Sequence, residues 1–379
     1  MYKRRLPLYS RFIATWVAAA MLVACGGGDS TSELADANTV ARETIASNGM
    51  PGVAVLAADS HAMRFGAAGL RRVGGTGANA VSAFDRFSIG SMTKAFTATL
   101  AGVEVQAGRL RWDMRLYEAI PELAAIGLPE YAQVTVRDLL THRSGLYALV
   151  SLDEFLALPP MSGTPREQRM QFLRWAVAQP PATPPGTFVY SNGGYMAMGA
   201  VLEEVGQQDY EELMQARLFR PLGISPQFVS PAARSDRAQP WPHLLDGSGQ
   251  WVAIDPDTPL IAFPPVVNPA GGLSMRLTEV AAFLQLHLRA LRGTEGLLIS
   301  PATARQMHEV VGDLQSPGWM QTADFKSRPI AFSAGSDEYS FYAMMAIAPE
   351  RDRAAVVLAN GYAAHAEERL ADALTRLLD

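Results

Sequence analysis

Ser88-Ile89-Gly90-Ser91-Met92-Thr93-Lys94 is the stretch from which the rest of the chain is read. Of the 32 basic residues only three are lysine, Lys3, Lys94 and Lys326, and all others are arginine. Arginine cannot be deprotonated in a protein, whereas a desolvated lysine can act as a base. A lysine at 94 in so arginine-biased a chain therefore marks that position. Ser91 stands three residues earlier, and positions three apart on a helix share a face, with Cβ atoms about 5–6 Å apart. The apolar periodicity from Ser91 to Ala107, closed by Gly108, predicts that helix and puts Ser91 at its N-terminus. Free backbone N–H groups and the helix dipole favour developing negative charge there. Nucleophile, base and anion stabiliser would then lie within one turn. The plainer alternative is a capping serine and a surface charge, and because capping serines are common, S-x-x-K alone decides little.

A second segment adds weight. Pro185-Gly186-Thr187-Phe188-Val189-Tyr190-Ser191-Asn192-Gly193-Gly194-Tyr195 sets Tyr190 and Asn192 two residues apart. In an extended chain both side chains point to one side. A tyrosine beside a lysine ammonium can reach the phenolate form and move protons. An amide can hold a substrate carbonyl or the lysine itself. The competing explanation is a Pro/Gly loop with a buried aromatic.

The flanking sequence predicts the frame. Ala35 to Asn48 reads as a helix stopped by Gly49, Val53 to Ala57 as a buried strand, and Met63 to Leu70 as its hairpin partner. Further helices are predicted at Val136–Leu140, Arg166–Ala178, Tyr195–Val205, Asp209–Leu218 and Leu277–Leu291. Ser225 to Pro269, rich in Pro and polar residues, has no assignment. Pro329–Ala334, Tyr339–Ile347 and Ala354–Asn360 read as three strands, with Arg351-Asp352-Arg353 as a turn. Glu367 to Leu378 is an amphipathic helix with Leu370, Leu374 and Leu377 on one face. Strands at both ends with helices between them predict an α+β fold, with one antiparallel sheet built from both termini. The α/β part covers roughly 35–88 and 270–379, and the helical part roughly 89–269.

These segments resemble the serine β-lactamase-related family, in particular the class C β-lactamase and penicillin-binding-protein-like esterase branch. Pro51-Gly52-Val53-Ala54-Val55 resembles the family's first strand, and Phe87 to Thr97 its nucleophile motif. Leu139-Leu140-Thr141-His142-Arg143-Ser144-Gly145-Leu146 resembles its T-H-x-S-G-L segment, Tyr190-Ser191-Asn192 its Y-x-N, and Asn268-Pro269-Ala270-Gly271-Gly272-Leu273 its P-A-G-G-L. Y-x-N in place of S-D-N points to the class C side. The resemblance covers most of residues 35–379 and implies a β-lactamase/transpeptidase-like fold, an antiparallel sheet flanked by helices with an inserted all-helical domain. It implies Ser91 as nucleophile, Lys94 and Tyr190 as proton carriers and Asn192 as a positioning residue. It also implies the backbone N–H groups of Ser91 and Ser336 as an oxyanion hole.

The chain departs from the family at its third motif, K-T-G or H-x-G, where Ser333-Ala334-Gly335 stands instead. Gly335 fits. Ser333 occupies the position of a cation that helps to read a substrate carboxylate, and Lys326 lies too early in the strand pattern to replace it. The expected activity is hydrolysis of an ester or amide through a Ser91 acyl-enzyme, esterase-like or D-amino-acid-peptidase-like, on a small-molecule or peptidoglycan-derived acyl substrate. A class C β-lactamase or D,D-peptidase is one alternative, and a catalytically silent cell-wall-binding relative is another.

The N-terminus is a separate matter. Lys3, Arg4, Arg5 and Arg11 precede an apolar run from Phe12 to Ala24, too short to span a bilayer comfortably, so residues 1–24 read as a signal peptide. Leu22-Val23-Ala24-Cys25-Gly26 resembles a bacterial lipobox, which implies lipidation of Cys25. Cys25 is the only cysteine, so no internal disulfide can form. Residues 25–34 would be a tether, and the protein would be a monomer anchored in the bacterial cell envelope at the outer membrane, facing the periplasm. An uncleaved anchor with an incidental cysteine is the alternative. Losing those four basic residues leaves 28 against 37 acidic ones, a net charge of −9, which disfavours nucleic acid as a partner. None of the six histidines pairs at metal-ligand spacing, so no metal or other cofactor is expected. No G-x-S-x-G elbow occurs, which disfavours an α/β-hydrolase. His287, within an apolar helical pattern, reads as a packing residue.

Overall fold

The first strand follows directly from its composition. Gly52–Ala58, strand β1, consists of small and β-branched residues buried along its whole length. Helix α1 (Ala37–Asn48) precedes it, capped by the Asp36 carboxylate and ended by Gly49 at φ 60°. Strand β2 (Met63–Gly69) returns as its antiparallel hairpin partner. The computed structural model describes residues 34–229, 236–258, 264–325, 328–336, 340–363 and 367–379. The signal segment, Cys25 and Lys326 lie outside the described residues.

The chain then enters its helical body. Strand β3 (Arg86–Ser88) leads through a 3₁₀ turn, Gly90–Met92, into helix α2 (Thr93–Gln106). Helices α3 (Val136–Leu140), α4 (Pro165–Val177), α5 (Asn192–Gly206) and α6 (Tyr210–Met214) follow. α2 starts two residues after Ser91 rather than at it, and α5 already starts at Asn192 because Ser191 caps it, accepting from the Gly194 N–H. Within the unassigned 225–269 stretch, strands β4 (His243–Leu245) and β5 (Trp251–Ala253) form a hairpin. Its turn is organised by Asp246, whose carboxylate accepts from the backbone of Ser248 and Gln250. The short helix α7 (Asn268–Gly271) and strand β6 (Ser274–Arg276), paired with β3, close this part.

Helices α8 (Leu277–Leu291) and α9 (Pro301–His308) lead back to the sheet. Strands β7 (Gln315–Ser316), β8 (Trp319–Phe325), β9 (Arg328–Ser336), β10 (Tyr342–Ala348) and β11 (Arg353–Ala359) complete it, and helix α10 (Glu367–Leu378) ends the chain. Among the described residues the sheet has seven strands in the order β2-β1-β11-β10-β9-β8-β7, so its first and last strands in sequence, β1 and β11, lie side by side. Helix α9 and strands β7 and β8 correct the three-strand reading of the C-terminal part. Trp319-Met320-Gln321-Thr322 mixes apolar and polar residues without the alternation of a half-buried strand, and Pro317-Gly318 hides the turn before it.

The sheet's two faces bury two separate cores. Val53, Val55 and Ala57 face one side with Met344 and Val357, against α1 and α10. Ala54, Leu56 and Ala58 face the other with Met345 and Val356, against the helical body. A slip of one residue would exchange the two sets, so the register is strongly specified.

The helical body contains a buried ion network. Arg169 on α4, 0% exposed, pairs with Glu203 of α5 at 2.6 Å and Glu211 of α6 at 3.0 Å. Glu211 accepts from Asn268 Nδ2 at 2.8 Å, and Arg169 donates to the Pro265 carbonyl at 2.9 Å. The network therefore clamps α7 onto α4, α5 and α6. Removing one partner of a buried pair leaves an uncompensated charge. Arg169→Met should accordingly lower the unfolding free energy by about 3–5 kcal/mol in chemical denaturation at pH 7. Arg174→Met breaks a pair with Glu122 that is about half exposed on both sides, and should change it by less than about 1 kcal/mol.

Candidate active site

Ser91 sits in the 3₁₀ turn between β3 and α2, at the foot of the sheet. The turn is tied down at both ends: Ile89 N–H donates to the Leu273 carbonyl at 3.0 Å, and Leu273 N–H donates to Thr93 Oγ1 at 3.2 Å. Gly90 adopts φ 47°, and a Cβ there would stand 2.7 Å from the Ser336 nitrogen. Gly335 is the reciprocal contact, since a Cβ there would stand 2.5 Å from the Ser91 nitrogen. Backbone therefore packs on backbone where β9 meets the nucleophile turn. The Ser91 and Ser336 main chains are neighbours because neither Gly90 nor Gly335 carries a side chain.

Lys94 is only 2% exposed. Its Nζ lies 3.0 Å from Ser91 Oγ, 2.8 Å from Asn192 Oδ1 and 2.7 Å from the Ala270 carbonyl. An ammonium has three N–H groups, and these three oxygens would take all of them. On losing a proton, the amine keeps two N–H groups and gains a lone pair. Two of the three partners are carbonyl oxygens, which can only accept. The lone pair is thus left facing Ser91, the one partner with a hydrogen to give. No carboxylate is among the Nζ partners, and burial holds Lys94 well below the ordinary lysine pKa.

The amide of Asn192 is oriented from behind, because its Nδ2 donates to the Leu149 carbonyl at 2.7 Å. That contact leaves Oδ1 for Lys94. Tyr190 hydroxyl donates to Ser91 Oγ at 2.6 Å, and its ring lies 4.8 Å from Lys94 Nζ. Ser191, between them, is extended, which turns both neighbours toward the serine. His142 backs this segment. Its Nδ1 accepts from Ser191 N–H at 3.1 Å, and its ring lies 4.6 Å from that of Tyr190. Burial first, and the Lys94 charge second, push the His142 pKa down to about 3. A neutral ring accepting at Nδ1 fits that environment.

A narrow cleft opens over Ser91 and Lys94. Its walls come from His142, Tyr195, the β7–β8 edge (Gln315, Gly318, Trp319, Met320) and β9 (Phe332, Ser333, Ala334). Among the described lining residues the one charged side chain is Lys94. Ser333, 6% exposed, sits in the wall where the resemblance led us to look for a cation.

The structure therefore brings together Ser91, Lys94, Tyr190, Asn192, Ser333, Gly335 and Ser336. Three contributors were not picked out from sequence as functional. The Ala270 carbonyl leaves no side-chain signature, although its P-A-G-G-L segment was noticed. His142 was read as structural, and it does act on the Tyr190–Asn192 segment from behind. The β7–β8 edge was not read as strand at all.

A family model described as Beta-lactamase matches residues 37–379. Penicillin-binding protein 4 of Amycolatopsis lactamdurans is 28% identical over 253 residues, covering 65% of this chain and 63% of that protein. The lovastatin esterase of Penicillium rubens is 28% identical over 251 residues, covering 59% of each. The chain thus spans about six-tenths of the length of these curated relatives. Among solved structures, SurE superposes with a TM-score of 0.70 at 27% identity, covering 90% of this chain and 74% of that one. SurE with D-Leu gives 0.69 at 25%, covering 89% and 72%.

The Lys94 geometry has a pH signature. The rate at which a fluorophosphonate modifies Ser91 should be low at acid pH and rise as Lys94 loses its proton. Its inflection should fall well below 10.5, the ordinary lysine value. Lys94→Met should slow the modification by about 10²- to 10⁴-fold and flatten the profile.

Proposed function

This chain belongs to the beta-lactamase family, and we propose that within it the protein is a serine hydrolase that cleaves an ester or amide through a Ser91 acyl-enzyme. The observation that carries this reading is the trio of acceptors around Lys94 Nζ, of which only Ser91 can return a proton. Ser91 Oγ attacks the substrate carbonyl carbon while its proton passes to Lys94. The carbonyl oxygen becomes an oxyanion held by the Ser91 and Ser336 N–H groups. Collapse breaks the bond to the leaving group, which takes a proton relayed from Lys94 through the Tyr190 hydroxyl. A water molecule then attacks the acyl-enzyme, its proton passing to the Tyr190 hydroxyl as that hydroxyl gives its own to the neutral Lys94 amine, and the acid product leaves as Lys94 returns the proton to Ser91 Oγ.

The cleft favours an uncharged substrate. Among the described lining residues a carboxylate would meet no cation beyond Lys94, whose donors face Ser91 and two carbonyls. Burying a charge without a partner is costly, so an ester or a neutral amide ranks above a β-lactam, which carries a carboxylate. The reading is therefore esterase-like or D-amino-acid-peptidase-like. Kinship with a lovastatin esterase and with SurE, solved with D-Leu, is compatible with either.

Side-by-side turnover of a short-chain nitrophenyl ester and of nitrocefin tests this choice. We expect kcat/KM for the ester to exceed that for nitrocefin by at least about tenfold. The reverse order would make the protein a β-lactamase. A fluorophosphonate adduct should map to Ser91 and vanish in Ser91→Ala. A folded wild-type protein that takes up neither a fluorophosphonate nor a fluorescent penicillin would instead be a silent binding relative.

We also propose that Cys25 is the lipid attachment point of an envelope protein, on the strength of the Leu22–Gly26 pattern. Cys25→Ser should remove the mass of the lipid and release the protein from membranes. Retention with unchanged mass would overturn the anchor.

A further inference from the structure

Behind the cleft wall, on the side away from substrate, a line of hydrogen bonds fixes its own direction. Thr99 Oγ1 donates its one hydrogen to the Ala95 carbonyl at 2.8 Å. Its 3.0 Å contact with His287 Nε2 must then be an N–H donated by the imidazole. With its hydrogen on Nε2, neutral His287 offers Nδ1 as an acceptor. His308 Nε2 lies 3.1 Å from that atom and must be the donor. By the same logic His308 Nδ1 accepts, and Gln321 Nε2 stands 3.2 Å from it. The second hydrogen of that amide goes to Ser316 Oγ at 2.8 Å, and Ser316 in turn donates to the Trp319 carbonyl at 3.3 Å. Both imidazoles are thereby neutral and in the Nε2–H form. Desolvation agrees, holding both below the ordinary histidine value.

The line closes on itself. Gly318, in the turn between Ser316 and Trp319, lies so near helix α2 that a Cβ would stand 2.6 Å from Ala95 Cα and 2.9 Å from the Lys94 carbonyl oxygen. Starting from Ala95, the ring runs through Thr99, His287, His308 and Gln321 to the β7–β8 edge and returns at Gly318. Trp319 fills it, its ring centroid 5.4 Å from His287, 5.2 Å from His308 and 6.1 Å from Phe283. Gly318, Trp319 and Met320 are also cleft wall, and Lys94 is cleft floor.

We propose that the His287–His308 pair is a positioning element for substrate binding. It sets the spacing between the β7–β8 wall and the helical turn that carries Ser91 and Lys94, without touching the reacting atoms. The kinetic part of this inference rests on the hydrolase reading, whereas its structural part does not.

Two variants separate positioning from mere packing. His308→Phe keeps a ring and removes both nitrogens. His308→Gln keeps one donor and one acceptor. We expect His308→Phe to raise KM for the nitrophenyl ester about five- to twentyfold, while kcat and the rate of fluorophosphonate labelling stay within about twofold of wild type. His308→Gln should restore KM to near the wild-type value. Nitrogen-15 shifts of the wild-type imidazoles should report the Nε2–H form at both positions. An Nδ1–H or doubly protonated ring in folded protein at pH 7 would overturn the proposal. So would an unchanged KM in folded His308→Phe, a parallel loss of kcat and labelling, or a His308→Gln as impaired as His308→Phe. If His308→Phe does not fold, Gln321→Met breaks the line at its strand end, with the same expectation for KM. If wild type turns over no ester and takes up neither a fluorophosphonate nor a fluorescent penicillin, the hydrolase reading is the one that fails. The wall is then followed by the Met320 methyl resonance, which must shift in His308→Phe for the proposal to stand.

Discussion

A buried amine with three oxygen neighbours and no carboxylate among them is the constraint from which the site follows. Each oxygen belongs to a different piece of chain: the turn before α2, the first residue of α5 and the short helix α7. None of those pieces would hold its position alone. α7 has four residues, and it keeps its place because Asn268 is bound to Glu211 and Thr97 Oγ1 donates to the Pro269 carbonyl at 2.7 Å. The buried Arg169 network is therefore part of how Lys94 is kept deprotonatable, although it lies well behind it. A buried amine surrounded by three neutral oxygens is the exception in a core, and a group so perturbed marks a candidate functional site.

The legible part of the site was the part written in side chains at short range. Ser91 and Lys94 share a helical turn, and Tyr190 and Asn192 flank one extended residue. Both relations are fixed by local backbone geometry, so spacing was enough to pair them. The Ala270 carbonyl could not be read this way, because every residue has a carbonyl and only the fold decides which one meets an ammonium. The strand β8 was hidden for a different reason. Its Trp319 packs against Phe283, His287 and His308 while its Gln321 is held by polar contacts, so its sequence lacks a two-residue period. His287 was read as a satisfied packing residue, and it is packed and hydrogen-bonded. What its helix pattern could not reveal is that its partner is another histidine, on a helix the pattern did not indicate. For the frame as a whole, the strong periodicities of α1, α2, α8 and α10 and the apolar runs of β1, β10 and β11 were sufficient. Their burial is set by hydrophobicity rather than by particular partners.

Ser333 alters the cleft wall without altering the backbone contact beside it. The β9 backbone still approaches Ser91 through Gly335, so the machinery for carbonyl attack is unaffected by the neighbour two residues earlier. What changes is the electrostatic character of the wall. A small neutral hydroxyl there, beside Met320, Phe332 and Ala334, leaves Lys94 at the floor as the one charged side chain among the described lining residues. Reactivity and selectivity are thereby carried by separate residues of one strand.

The pairing of β1 with β11 has a consequence for how the protein comes into being. Val53 lies opposite Ala359, so the central ladder joins the first and last parts of the folded chain. Contacts so distant in sequence are closed slowly, at the expense of much chain entropy. β9, which supplies Gly335 and Ser336 to the nucleophile turn, lies in the same sheet, paired with β10 and β8. A growing polypeptide emerging N-terminus first would hold Ser91 and Lys94 long before it held the strand that completes their surroundings. The surroundings of Ser91 and Lys94 are thus complete only once the C-terminal strands have docked.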